Sequence, residues 1–395
     1  MKQVIQTILI EESVAQHPLT HAAIMAQSKA QGFGPKQIVF PDKDTDPINQ
    51  VLADLTSQLK DDYDAGKHVL LLRKARGDQF KTCPGTKGVV CCNYFVLNYM
   101  SGCPLNCSYC YLSAYLTQKA LTLQVDLDEV LVKLETLFAE NPKRFFRIGT
   151  GELADSLALP ASDPLTTHLV ERFADIPNAL IEFKTKSDRI DHLLTLDAKQ
   201  KSMVSWSISP SPLSQREEHE TASIEKRLQC ARRVSDAGYL LAFHMDPILY
   251  DHPNMRAWEY DYETLIEQVF AAVPPERIAW ISVGGLRMLK GLRERMIERF
   301  PESRLAYQEM IPGSDGKLRY PKPLRKHMFT FVSDTIKRMG LKHVASSDHV
   351  PPVYLCMEAR EVWHDVLGST PDPRGRLQPL FTNALPRQIT QNLAL

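Results

Sequence analysis

The segment Ser101-Gly-Cys-Pro-Leu-Asn-Cys-Ser-Tyr-Cys-Tyr-Leu-Ser113 constrains this chain more than any other. It sets Cys103, Cys107 and Cys110 in a C-x3-C-x2-C spacing on one short loop. Three thiolates from one loop hold three corners of a cubane [4Fe–4S] cluster, whereas most such clusters take four cysteines. A missing fourth protein ligand leaves one iron open, and an open position on a metal is where a small molecule binds and reacts. Tyr109 and Tyr111, flanking the third cysteine, would shield such a cluster from water. The competing reading is a structural zinc knot in a nucleic-acid-binding protein, with Cys83, Cys91 or Cys92 as fourth ligand. Such sites show two separated C-x2–4-C or H-x3–5-H pairs, and no second pair is visible.

The rest of the chain sets the scale of the fold around that loop. Its 395 residues suffice for one large barrel and a smaller appendage. A hydrophobic content of 44% and a charged content of 24% are those of a globular enzyme. No apolar run reaches the 18 or more residues of a membrane span. The apolar start, Met1 to Ile10, meets Glu11 and Glu12 at once, unlike a signal peptide. Eight cysteines, three of them clustered, argue against a disulfide framework and fit a reducing cytoplasm. Lys and Arg together number 47, as do Asp and Glu, so any nucleic-acid contact must come from a local patch.

Residues 1–78 read as a small α/β appendage, with strands at Val4–Ile10, Gln37–Phe40 and His68–Arg73 and a helix at His17–Gln31. No chemistry is legible there. Pro84, Gly85 and Gly88 mark a loop over 79–93. From Tyr94 onward strands and helices alternate, as in a parallel sheet of βα units. The strands expected are Tyr94–Met100, Arg144–Ile148, Ala179–Phe183, Met203–Ile208, Tyr239–Met245 and Ile278–Val283. The helix expected over Asp126–Glu140 has Asp126 and Glu129 placed for a capping box, and one over Ser223–Ala237 should end at a left-handed Gly238. Further helices are expected at Leu289–Phe300 and Lys322–Met339. Six strands with helices between them give an α/β fold, a partial (β/α)6 barrel over 79–365. An extended tail is expected over 366–395, where Thr370–Leu395 is rich in Pro, Gln and Asn.

Functional residues in such barrels gather at the C-terminal ends of the strands. The second strand ends in Gly149-Thr150-Gly151-Glu152, where two glycines admit a ligand close to the backbone and a carboxylate accepts from an ammonium. The third ends in Lys184-Thr-Lys186, the fourth in Ser205-Trp-Ser207-Ile-Ser209. His244 and Asp246 share a face of the fifth by alternation. Arg287, just past the sixth, suits a carboxylate or phosphate. Lys317-Leu-Arg319-Tyr320-Pro-Lys322-Pro-Leu-Arg325-Lys326-His327 contains five Lys and Arg and no acid, a segment able either to clamp a phosphate backbone and stack a base or to serve as a solvated face. Gly313–Gly316 before it suits a lid or a DNA-facing hairpin. Cys356, in Tyr354-Leu-Cys356-Met-Glu358, ends a strand beside the barrel and is a candidate active-site thiol.

C-x3-C-x2-C followed by an aromatic resembles the cluster loop of the radical S-adenosylmethionine (SAM) superfamily. Cys91-Cys92-Asn93-Tyr94-Phe95-Val96-Leu97-Asn98 and Tyr109-Cys110-Tyr111-Leu112 resemble the spore photoproduct lyase family within it. The resemblance implies the partial barrel, a [4Fe–4S] cluster and SAM. It implies that Gly149–Glu152 holds the SAM amino group, that Lys186 meets its carboxylate in preference to Lys184, and that Ser207, aided by Ser209, completes the cofactor site; His244, read from strand alternation, either joins that site through ribose or substrate or is a satisfied core histidine. It implies an electron donor such as flavodoxin or ferredoxin. A 5′-deoxyadenosyl radical would take hydrogen from a pyrimidine photolesion in DNA; the residues read above as cationic, Arg287 (substrate or SAM) and Arg319, Lys322 and Arg325 with Tyr320, are the candidates to meet that substrate. One hydrogen would return through a cysteine and tyrosines. The family places that cysteine just after the second strand, where Gly149–Glu152 has none, so Cys356 with Tyr109 and Tyr111 is the expected substitute. The alternative is a radical SAM enzyme acting on another small molecule or a peptide.

Overall fold

The computed structural model describes residues 4–59, 61–85, 88–90, 92, 94–198, 200–252, 254–343 and 350–369. Two sheets organise them. The larger has seven parallel strands in sequence order: β1 (Phe95–Leu97), β2 (Phe146–Gly149), β3 (Ala179–Thr185), β4 (Ser202–Ser207), β5 (Leu240–Ile248), β6 (Ile278–Gly285) and β7 (Val353–Leu355). Phe80–Thr82 caps the β1 edge in antiparallel pairing. Among the described residues both outer strands remain edges, so the curled sheet is an open half-barrel. Strands covered on both faces should be apolar nearly throughout, and every residue of β4 and β6 is buried. The six expected strands are all present. β7 extends the sheet beyond them and delivers Cys356 at its end.

The smaller sheet pairs Thr7–Glu11 with Lys36–Phe40 and Val69–Lys74, as expected of the N-terminal segment. It then takes in Leu121–Asp126 and Met100–Ser101 from beyond residue 78. Alternation divides its side chains between two cores. Leu9, Val69 and Leu71 pack with Phe40, Ile48 and Leu55, while Ile8, Ile10, Leu70 and Leu72 join the main core under the barrel. The strand Leu121–Asp126 was not expected, and it alters the helix after it. Asp126 pairs with Lys74 at the strand end, the helix begins at Asp128, and Leu127 at its N-cap makes no side-chain cap. The expected capping box is therefore not formed. Gly238 does take the left-handed conformation (φ 91°) past the helix Ile224–Asp236. Thr370–Leu395 lies outside the described residues.

Lys322–His343 is a 22-residue helix, and Arg360–Leu367 packs beside it. Before them a short hairpin joins Ile311–Pro312 to Leu318–Arg319 across Gly313–Gly316. Asp315 accepts two hydrogen bonds from Arg319, at 2.5 and 2.9 Å, and so closes the hairpin on itself.

Candidate active site

The strand ends and the cysteine loop enclose one cavity of about 520 Å³. Cys103, Cys107 and Cys110 line it on one side and Cys356 on another. Cys103 and Cys107 are buried, and burial pushes both thiols up, Cys107 to about 12. Three cysteine sulfurs facing one cavity are the soft donor set that an iron–sulfur cluster with one open iron takes. Cys83 and Cys92 also line the cavity, whereas Cys91 lies outside the described residues.

Glu152 sits at the cavity wall, half-buried, accepting from Asn98 Nδ2 at 2.5 Å with Lys81 Nζ at 3.9 Å. Gly149 and Gly151 do what the turn requires of glycine, since an added Cβ would meet the Tyr94 ring at 2.3 Å or Lys184 Cβ at 2.9 Å. Thr150 is not a ligand-facing residue. It is fully buried, with Oγ1 bonded to Ser156 Oγ at 2.7 Å and to the Glu182 carbonyl at 3.2 Å, so it braces the turn. Asp155 braces the same region by accepting from Thr185 Oγ1 at 2.6 Å and Lys186 N at 2.7 Å.

Lys186 reaches towards the cysteines. Its Nζ donates to Tyr109 Oη at 2.6 Å, pairs with Glu218 at 3.0 Å and lies 4.0 Å from Cys107 Sγ. Glu218 is fully buried and also takes Arg227 at 2.7 Å, Tyr109 Oη at 2.5 Å and Ser209 Oγ at 3.2 Å. Burial alone would raise this carboxyl, but Lys186 and Arg227 hold it well below the usual carboxylate range. Ser209 thus supports Glu218 and does not line the cavity, while Ser207 does. Lys184 also lines the cavity. Among the described residues its ammonium makes no hydrogen bond or ion pair, although its backbone N–H donates to Ser156.

Strand register sets Ser207, His244, Ser282 and Tyr354 side by side across β4 to β7. His244 Nε2 meets Glu182 Oε1 at 2.7 Å, and Arg147 bonds Glu182 at 2.7 and 2.9 Å. Burial lowers the imidazole to about 4. Beside this pair, Asp246 accepts from Arg287 at 2.9 Å, and Arg287 donates to the Cys356 carbonyl at 2.9 Å. Burial, with the Asp246 carboxylate adding to it, pushes the Cys356 thiol well up, which keeps it protonated. Tyr109 is buried and Tyr111 is 38% exposed with its hydroxyl on the Glu152 carbonyl, so only the first shields the cysteines from water.

The basic segment is paired with acids of the chain itself. Tyr320 is fully buried and has no face for a base, and its hydroxyl accepts from Tyr250 N at 3.1 Å. Arg325 is buried against Glu358 at 2.9 Å, Arg319 is held by Asp315, Lys322 by Glu361, and Lys326 by Asp365 at 2.6 Å. The sequence shows five cations without an acid because four of these partners lie elsewhere in the chain or across a turn.

The sequence pattern of the family described as spore photoproduct lyase matches residues 14–329. This chain belongs to the spore photoproduct lyase family. The spore photoproduct lyase of Bacillus subtilis is 27% identical over 183 residues, which are 46% of this chain and 52% of that protein. That of Clostridium acetobutylicum is 23% identical over 242 residues, 61% of this chain and 68% of its own. The chain thus spans about half the length of the first of these relatives. A solved spore photoproduct lyase variant with dinucleoside spore photoproduct superimposes with a TM-score of 0.71 at 20% identity, covering 90% of this chain and all of the other. A second variant, with AdoMet and dinucleoside spore photoproduct, gives 0.70. These structures share the open half-barrel.

Sequence reasoning missed Glu218 and Glu182 within this site of a lyase-family chain. Glu182 carried a readable signal, a carboxylate inside the apolar strand Ala179–Phe183. Glu218 carried none, because its role depends on Glu218 pairing with Cys107 in a two-residue ladder.

Proposed function

We propose that this chain is a radical SAM enzyme of the spore photoproduct lyase type, acting on a pyrimidine photolesion in DNA. The observation that carries the reading is that Cys103, Cys107 and Cys110 share one cavity with Glu152, Lys186 and Ser207 from three successive strands. The three cysteines would hold a [4Fe–4S] cluster. When bound, the cluster supplies the electron for reductive cleavage of SAM, and SAM the 5′-deoxyadenosyl radical that takes a substrate hydrogen.

The chain's own residues supply the rest. With SAM bound, Glu152 would accept from its ammonium, Lys186 would meet its carboxylate, and Ser207 would complete the cofactor site. Lys186 arrives with its charge already balanced by Glu218, so it positions more than it attracts. Lys184, whose ammonium makes no hydrogen bond or ion pair among the described residues, is available to an anionic group of the substrate. Cys356 presents a protonated thiol, the form required of a hydrogen-atom donor, with Asp246 and Arg287 fixing its place. Tyr109 and Tyr111 border the same cavity as relay candidates. A flavodoxin- or ferredoxin-type protein would deliver the electron.

The test is anaerobic incubation of reconstituted protein with SAM and dithionite, with and without UV-irradiated DNA, following 5′-deoxyadenosine and repaired thymine. DNA-stimulated turnover is expected. The second reading, a small-molecule or peptide substrate, is favoured by the carboxylates that neutralise the basic segment. Uncoupled SAM cleavage unaffected by irradiated DNA, with affinity insensitive to salt, would favour it.

A further inference from the structure

The N-terminal segment, in which the sequence shows no chemistry, reaches the cysteine loop. Its helix Asp62–Gly66, capped by Asp61 Oδ1 on Tyr63 N at 2.8 Å, lies flush against the chain that follows the loop. A Cβ on Gly66 would stand 2.1 Å from the Lys119 carbonyl oxygen. Tyr63 is 2% exposed and packs in one apolar cluster with Cys103 and Leu112. Its hydroxyl lies 4.0 Å from Cys110 Sγ. Two cations rest on its ring, Lys67 Nζ at 4.8 Å and Arg299 Cζ at 4.9 Å from the centroid. Both also donate to Asn106 Oδ1, at 2.8 Å each, and Lys67 donates to the Leu105 carbonyl at 2.9 Å. The stretch between the first two cysteines is thus held from below by two buried cations, and the third cysteine faces a phenol.

Resting on the cluster reading above, we propose that Tyr63 is a positioning residue for the iron–sulfur centre, donating a hydrogen bond to the Cys110 sulfur and so setting the potential at which the centre accepts an electron. A sulfur bound to iron carries no proton, so of the two atoms only the phenol can donate. Donors to cysteinyl sulfur, together with nearby charge, are among the levers that move cluster potentials. Reduction adds negative charge, and a donated O–H together with Lys67 and Arg299 stabilises the more negative state. The N-terminal segment therefore acts on the redox chemistry as well as on packing.

The experiment is an EPR-monitored potentiometric titration of the reconstituted protein, comparing the native chain with Tyr63→Phe and, as a control, Tyr115→Phe on the exposed side of the loop. Tyr63→Phe keeps the ring under both cations and removes only the hydroxyl. A shift of its midpoint to more negative potential, with unchanged iron content and with Tyr115→Phe at the native value, is the expected result. A native midpoint in Tyr63→Phe would overturn the proposal. If Tyr63→Phe loads less iron, the midpoint is read on its loaded fraction, since a potential does not depend on occupancy: a negative shift supports the hydrogen bond and a native value rejects it. A native chain that assembles no iron–sulfur centre would instead sink the cluster reading, a distinguishable failure.

Discussion

Glu152 is held by Asn98 and lies near Lys81, so its carboxylate is oriented before any ligand arrives. Replacing it with glutamine removes the charge that accepts an ammonium and should weaken SAM binding by roughly 1–3 kcal/mol, the cost of leaving a buried charged partner unsatisfied. Isothermal titration under anaerobic conditions reads this directly, and an unchanged affinity would make the turn structural only. Cys356→Ala should still cleave SAM yet release abortive or adduct products in place of repaired base, visible by mass spectrometry. Normal turnover would move the donor role to another group, with Cys92 on the same cavity as the next to test. His244 has an ordinary value of 6.5 and is lowered to about 4 by burial, with Lys184 adding to the effect. Between those values the unfolded chain binds a proton that the folded chain refuses, so stability is complete above about 6.5 and falls as pH drops towards 4. The apoprotein's denaturation midpoint should decline over that window, and less steeply in His244→Gln.

Among the elements, the segment Lys317–His327 has the widest gap between its sequence and its role. Read linearly it is a basic stripe. In the fold, Arg325 points inward to Glu358 at the end of β7, and the charges on the rim have their own acids. Removing one partner of a buried pair leaves the other charge uncompensated, so Arg325→Ala should lose roughly 3–5 kcal/mol of stability. Lys322 is 42% exposed beside a more exposed Glu361, and Lys322→Ala should cost about 0–1 kcal/mol. Equal losses for the two, by denaturant titration, would contradict this assignment. If DNA binds, Lys322→Ala should leave the salt slope of binding nearly unchanged, since that lysine is not committed to a phosphate.

For the whole molecule, the small sheet ties the N-terminal segment to the barrel. Val69–Lys74 is the inner partner of Leu121–Asp126, and Leu121, Leu123 and Val125 are buried there. Deleting residues 1–78 would strip that strand of its partner and expose an apolar edge, a template for aggregation. The truncated chain should be insoluble or sediment as aggregate. A folded monomer would show that the barrel stands without the segment.

The sequence by itself determined the elements whose information is local. Apolar runs of strand length separated by amphipathic helices specified the parallel half-barrel, because strands covered on both faces need such runs wherever they sit. The C-x3-C-x2-C loop specified the cysteine side of the site, because three ligands within eight residues need no help from distant chain. What only the tertiary structure decided is pairing across distance. It neutralised the cations at 317–327 with carboxylates such as Glu358 and Glu361, seated Lys186 on Glu218, and placed Cys92 and Cys356 on one cavity. It also gave Leu121–Asp126 to the N-terminal sheet and brought Tyr63 to Cys110. Each of these depends on which groups share a low-dielectric interior, where an unpaired charge is costly and a neighbour dozens of residues away becomes the nearest one.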